Sequence, residues 1–147
     1  MRKFSILKFL VLAGWALSSI MQLEGCANIV PPSGGPKDSL PPYLITARPI
    51  DSALGVLPKE ILVGFNEFIT TTSIQENLIV SPTLKNTPLI DARLNTIKIR
   101  IADTLLNNTT YSIQFGDAIK DITEGNILKN YKYVFSTGSF LDSLKYN

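Results

Sequence analysis

Between Tyr43 and Ser136 the apolar residues fall in short alternating stretches, with no long helical periodicity. Pro, Gly, Asn and Asp separate the stretches. Successive strand side chains point to opposite faces, so alternation gives one buried face and one wet face. From Thr96 to Ile101, Ile97, Ile99 and Ile101 share a face opposite Lys98 and Arg100. From Glu60 to Phe65, Ile61, Val63 and Phe65 alternate with Leu62 and Gly64. From Thr110 to Phe115, Tyr111, Ile113 and Phe115 point inward, and from Tyr131 to Ser136, Tyr131, Tyr133 and Phe135 do the same. Shorter strands are expected over Tyr43–Ala47, Leu78–Val80 and Leu89–Ala92, and a single helical turn over Thr72–Asn77. Roughly seven strands at this spacing predict an all-β sandwich, with a small closed barrel as the alternative. Ile97, Ile99, Tyr111, Ile113, Phe115 and Phe135 are its expected core.

The first 25 residues do not belong to that pattern. Arg2 and Lys3 precede a mostly apolar segment, Phe4 to Leu17, interrupted by Lys8. Its uninterrupted part, Phe9 to Leu17, falls well short of the about 20 apolar residues of a spanning helix. It suits the apolar core of a secretory signal. Leu23-Glu24-Gly25-Cys26 follows and resembles a bacterial lipobox, with Glu24 departing from the usual small or apolar residue. Cys26 is the only cysteine, so it is read as a lipidation site, and residues 1–25 as a lipoprotein signal peptide. Several acyl chains on one residue, each buried methylene contributing about 0.8 kcal/mol, give stable anchoring. The Pro/Gly-rich residues 26–39 then read as an extended tether, 40–138 as the folded domain, and 139–147 as a C-terminal tail.

Signal removal also disposes of the basic charge. Taking Arg2, Lys3, Lys8 and Glu24 from the 14 basic and 12 acidic residues leaves 11 of each. No basic face remains to suggest nucleic-acid binding. The chain has no histidine, which removes the commonest acid–base group and metal ligand.

Leu105-Leu106-Asn107-Asn108-Thr109-Thr110-Tyr111 resembles a tyrosine corner, in which a hydroxyl at the start of a late strand bonds to backbone a few residues upstream. Tyr111 would make that bond, and Leu105 would plug the core beneath it. Together with Ser33-Gly34-Gly35-Pro36-Lys37-Asp38, Gly64-Phe65-Asn66-Glu67-Phe68, Phe115-Gly116-Asp117-Ala118-Ile119-Lys120-Asp121, Glu124-Gly125-Asn126 and Phe135-Ser136-Thr137-Gly138, this segment resembles the bacterial Ig-like (SbsA-type) domain at the N-terminus of Bacteroidetes lipoproteins. The resemblance covers about residues 26–144. It implies an Ig-like β-sandwich and a cell-envelope address, and no defined activity.

Three sets of residues remain as candidate sites. Asp117, Asp121, Glu124 and Asn126 could offer oxygens to Ca²⁺, although the turn chemistry of Asp, Asn and Gly explains the same segment as a structural loop. Ser39, Ser52, Thr104 and Ser143 each follow an Asp and precede an apolar residue, which resembles the O-glycosylation acceptor pattern of Bacteroidetes envelope proteins. Glu67, between Phe65 and Phe68, could be half of a catalytic carboxylate pair, but no second acid or nucleophile is identifiable; a salt-bridged residue at a sheet margin is the plainer reading. No catalytic residue, metal or cofactor is assigned.

The expectation is a non-catalytic, lipid-anchored module, structural or protein-binding, held by the outer membrane and facing the periplasm. Ala27 rather than an acidic residue follows the lipidated cysteine, and the first acid is Asp38. The alternatives are a passive stalk of a truncated multidomain lipoprotein and a polysaccharide-binding or hydrolytic envelope protein. The last needs exposed aromatics, yet the single Trp15 would be lost with the signal.

Overall fold

Alternation becomes strand pairing where the apolar faces meet. β1 (Leu44–Arg48) and β2 (Glu60–Phe65) lie in one antiparallel sheet with β5 (Leu89–Arg93) and β6 (Thr96–Arg100), in the order β1-β2-β6-β5. Across β2 and β6 the register sets Ile61 opposite Ile99 and Val63 opposite Ile97, stacking the apolar residues on one face. Glu60 answers Lys98 and Arg100 on the wet face at 3.2 and 3.8 Å. These exposed pairs contribute little, about 0–1 kcal/mol each.

The second sheet has the order β10-β7-β4, from β4 (Ile79–Ser81), β7 (Thr110–Gln114) and β10 (Lys132–Ser136). Its inner face carries Tyr111, Ile113, Tyr133 and Phe135. Together with Phe115 these side chains close on Ile61, Val63, Phe65, Ile97 and Ile99 to form the core. The computed structural model describes residues 8, 10–12, 14, 15 and 34–142 of the chain.

Met1–Gly35 and Pro36–Asn147 are separate compact units. In the first, residues 8, 10–12, 14 and 15 are helical, and Leu10, Val11, Leu12 and Trp15 are exposed. Among the described residues no helix is long and apolar enough to cross a membrane.

The all-β sandwich expected from the pattern is the observed architecture, and the six expected core residues are all buried. Both main sheets are open, with edge strands, so the closed-barrel alternative falls away. Each of the seven expected strands forms, with ends displaced by about one residue, within the usual uncertainty of strand and helix ends. The helical turn forms as α1 (Ile74–Asn77). Three further strands were not legible: β3 (Ile69–Thr71), β8 (Ile119–Asp121) and β9 (Ile127–Leu128), which make a separate sheet in the order β3-β8-β9. At two or three residues each, they are too short to display a period.

Strand direction gives the domain two poles. At the proximal pole lie the start of β1, the end of β2, the β5–β6 turn and the small sheet. There Tyr43 and Asn66 are joined by two hydrogen bonds, and the Ile69 N–H donates to the Leu94 carbonyl. At the distal pole lie the end of β6, the crossover to β7 and the end of β10, where Ser136 faces Thr110. The chain therefore comes in at one pole and leaves at the other.

Two local conformations run against residue preference. Gly64 faces Thr46, whose methyl would lie 2.7 Å from any added Cβ, so the threonine side chain fills the space that a larger residue at 64 would need. Leu94, in the two-residue turn between Arg93 and Thr96, has φ +53°. Left-handed backbone costs an L-residue roughly 1–2 kcal/mol, and Gly or Asn would serve the turn better.

The aromatic core yields opposite expectations for two rings. Phe115 is fully buried beside Tyr131, with ring centroids 5.7 Å apart. Phe115→Ala should cost about 3–5 kcal/mol through the cavity it leaves. The Tyr131 hydroxyl is buried without a hydrogen-bond partner among the described residues. Burial first, then Asp51 and Tyr133, pushes it up from the usual phenol range. Removing an unsatisfied buried hydroxyl returns its desolvation penalty, so Tyr131→Phe should raise stability by about 1 kcal/mol. Urea denaturation of both variants checks the pair; destabilisation by Tyr131→Phe would show that its hydroxyl is satisfied after all.

Candidate functional site

The distal pole is built around the crossover from Ile101 to Thr110. A segment passing from one sheet to the other leaves both ladders, so its backbone groups need other partners. Tyr111 supplies one: its hydroxyl accepts the Leu106 N–H at 2.9 Å. Its ring is buried and stacks on Phe135, with centroids 5.4 Å apart and planes 15° apart. Leu105 is buried below the same turn.

Thr137 completes the clamp. Its Oγ1 accepts the Thr109 N–H at 2.9 Å and donates to the Leu106 carbonyl at 2.6 Å, while its own N–H reaches the Thr109 carbonyl at 3.0 Å. Gly138 then lies so close to Asn108 that an added Cβ would sit 2.9 Å from the Asn108 Cα. Asn108 itself takes the left-handed conformation that asparagine tolerates, φ +51°. The segments ending in Tyr111 and Gly138, distant in sequence, are thus two halves of one fastening. The role of Thr137 was not deduced from sequence; a Ser-Thr-Gly run directly after the last strong strand was the available signal.

Two open clefts flank the crossover, one beside Pro82, Leu84, Lys85 and Tyr111, the other beside Leu57, Lys59 and Asn107. Asp103 and Thr104 border both. Asp103 is engaged already: its carboxylate accepts the backbone N–H and side-chain amide of Asn86. Those bonds, backbone first, hold its carboxyl below the usual carboxylate range.

The acidic loop lies at the proximal pole, where Asp121 is buried. Its Oδ1 accepts the N–H groups of Glu124 and Gly125 at 2.6 and 2.8 Å, and its Oδ2 that of Asn126 at 2.7 Å. Burial works to raise its pKa, but the bonds from Gly125, Glu124 and Asn126 overcome this and hold it below the usual value. Gly125, at φ +80°, provides the reversal that aims three donors at one carboxylate. Asp117 is exposed in the turn after Gly116. Asp121 thus organises the loop through its own backbone, and no group of three His, Cys, Asp or Glu residues that could hold a metal occurs among the described residues.

Ser39, Ser52 and Thr104 are exposed. Each preceding Asp accepts a hydrogen bond: Asp38 from the Leu40 N–H, Asp51 from the Val134 N–H, and Asp103 from Asn86. Ser143 and Cys26 lie outside the described residues. Glu67 corrects the salt-bridge reading: its described partner is the Asn66 side-chain amide at 3.3 Å, and no ion pair to it occurs among the described residues. The neighbouring Asn66 explains this, because its amide also has its oxygen fixed by the Tyr43 N–H at 2.7 Å.

The model of a family described as a bacterial Ig-like domain matches residues 38–137. No curated protein matches the chain.

The corner and the buried acid can each be tested by stability. Tyr111→Phe keeps the ring and loses the bond to Leu106, so it should cost on the order of 1 kcal/mol by denaturant titration; unchanged stability would mean that the corner bond contributes nothing. Asp121 and Asp103 are depressed below their ordinary value of 3.8 when folded. Their contribution is present above that value and is lost as pH falls through the folded pKa. Stability should therefore hold through the neutral range and decline below about pH 4. Asp121→Asn should be less stable at neutral pH and flatter in acid, as read by thermal melts across pH; an equally steep acid decline in the variant would refute this assignment.

Proposed function

The chain belongs to the bacterial Ig-like domain family, and on that premise we propose that it is a lipid-anchored, non-catalytic structural module of the bacterial cell envelope. The observation that carries the reading is the placement of the domain's first and last strands, entering at one pole of the sandwich and leaving at the other. A fold entered at one pole and left at the other holds its N-terminal and C-terminal neighbours apart. A six-residue strand such as β2 spans ~20 Å, and that sets the scale of the separation.

Spacing is favoured over strand capture by the state of the edges. The outer edge of β10 is covered by residues 52 and 53, through Ser52 N–H to Val134 carbonyl and Ser136 N–H to Ala53 carbonyl, both 2.8 Å. The other large sheet ends in β1, whose pairing is interrupted between Leu44 and Thr46, and in β5; the remaining edge, β4, is only three residues long. Interrupted or covered edges are poor templates for an added strand. Sugar binding is disfavoured because the exposed aromatics of the domain, Tyr43, Phe68 and Phe140, are divided between its poles and make no platform.

The anchor is Cys26, supported by its place behind the apolar segment and by Gly25. The domain faces the periplasm from the outer membrane, and exposed Ser39, Ser52 or Thr104 would be open to glycan addition. Cys26→Ser should shift the protein from the membrane to the soluble fraction, and an alkyne fatty acid should label the wild type alone. Membrane retention of the variant, with an unlabelled wild type, would end the anchor reading. Protease should spare the domain in intact cells and digest it after outer-membrane permeabilisation; digestion of intact cells would put it on the surface instead.

A further inference from the structure

We infer that the proximal pole of the domain rests on a phospholipid bilayer, inserting Leu40, Tyr43, Phe68, Leu94 and Ile122 at the headgroup–acyl boundary. These side chains are 70, 62, 59, 69 and 59 % exposed. Backbone bonds bring them to one end of the fold. Tyr43 is tied to Asn66, two residues before Phe68. The Phe68 carbonyl accepts the Ile122 N–H at 3.1 Å, and the Leu94 carbonyl accepts the Ile69 N–H at 2.8 Å. Leu40 follows Asp38, whose carbonyl receives the Asn126 side-chain amide from the β8–β9 turn.

Two observations identify lipid as the occupant. The first is where the chain comes from: the segment carrying the apolar stretch and Cys26 joins the domain at this pole and not at the other. The inference thus rests on the lipid anchor proposed above. The second is Leu94, an exposed leucine kept in left-handed backbone in a turn that Gly or Asn would fit better. Its carbonyl holds the Ile69 N–H, a bond that Gly or Asn would make as well, while its side chain is left exposed, so the choice of leucine points to use at the surface. The neighbouring charges, Lys37, Arg93, Asp38, Glu67 and Glu124, are of both signs. Attraction is therefore by apolar burial, to a depth of about 5–10 Å, rather than by anionic headgroups.

The mature acylated protein supplies its own test, because the single Trp15 leaves with the signal peptide. F68W and I122W then report the proximal pole and F140W the distal one. The acylated proteins are reconstituted into phosphatidylethanolamine/phosphatidylglycerol vesicles with plain or brominated acyl chains. Bromine is expected to quench the F68W and I122W emission and to spare F140W, with no change on raising salt. Flotation of the same vesicles reads the anchor separately. Protein that fails to float overturns the anchor and the docking together. Protein that floats with F68W and I122W unquenched, or quenched no more than F140W, overturns the docking alone. Blue-shifted F68W emission without bromine quenching would put a second copy or another protein on this pole, and would equally overturn the lipid assignment.

Discussion

The sandwich depends on how the chain leaves one sheet and begins the other. Between Ile101 and Thr110 it has no ladder partner, yet it passes over a core that must stay dry. Tyr111 and Thr137 resolve this by taking the polar groups of Leu106 and Thr109 into side-chain bonds. Because Tyr111 lies one residue in from Thr110 at the start of β7, and Thr137 follows β10, the crossover is bound to the two paired strands of the second sheet. Leu105 is buried beneath that bond set. Nothing comparable is required at the β5–β6 turn, where neighbouring strands of one sheet connect directly.

Most of the sandwich was legible because burial on one face writes itself as a period of two. Ile97 and Ile99, or Tyr111 and Ile113, cannot be exchanged with their neighbours without turning the strand inside out. The small third sheet was illegible for the same reason in reverse. Ile127 and Leu128 form a whole strand, and two residues have no period. Tyr111 could be placed from its distance to Leu105 and Leu106, since a corner is a local bond. The other half of the clamp spans about thirty residues and carries no local sign; only the fold brings Gly138 against Asn108.

Asp121 shows how a site-like pattern arises from folding needs. Several acidic and amide side chains within a short segment suggest a cation, but here the segment needs a counterpart for its own N–H groups. The carboxylate supplies it, so the acid is spent on backbone. Asp103, Asp51 and Asp38 repeat the arrangement elsewhere. Four acidic residues of this domain thus stand in for missing backbone partners at loops.

The strip of chain laid along β10 has a consequence for life at a surface. Molecules confined to a membrane share two dimensions instead of three, and their effective concentration rises accordingly. An open strand edge that is harmless in dilute solution becomes a polymerisation template under that confinement. Under the proposed anchoring, Ser52 and Ala53 on one edge and the interruption at Ile45 on another would leave crowded copies fewer open strands by which to join.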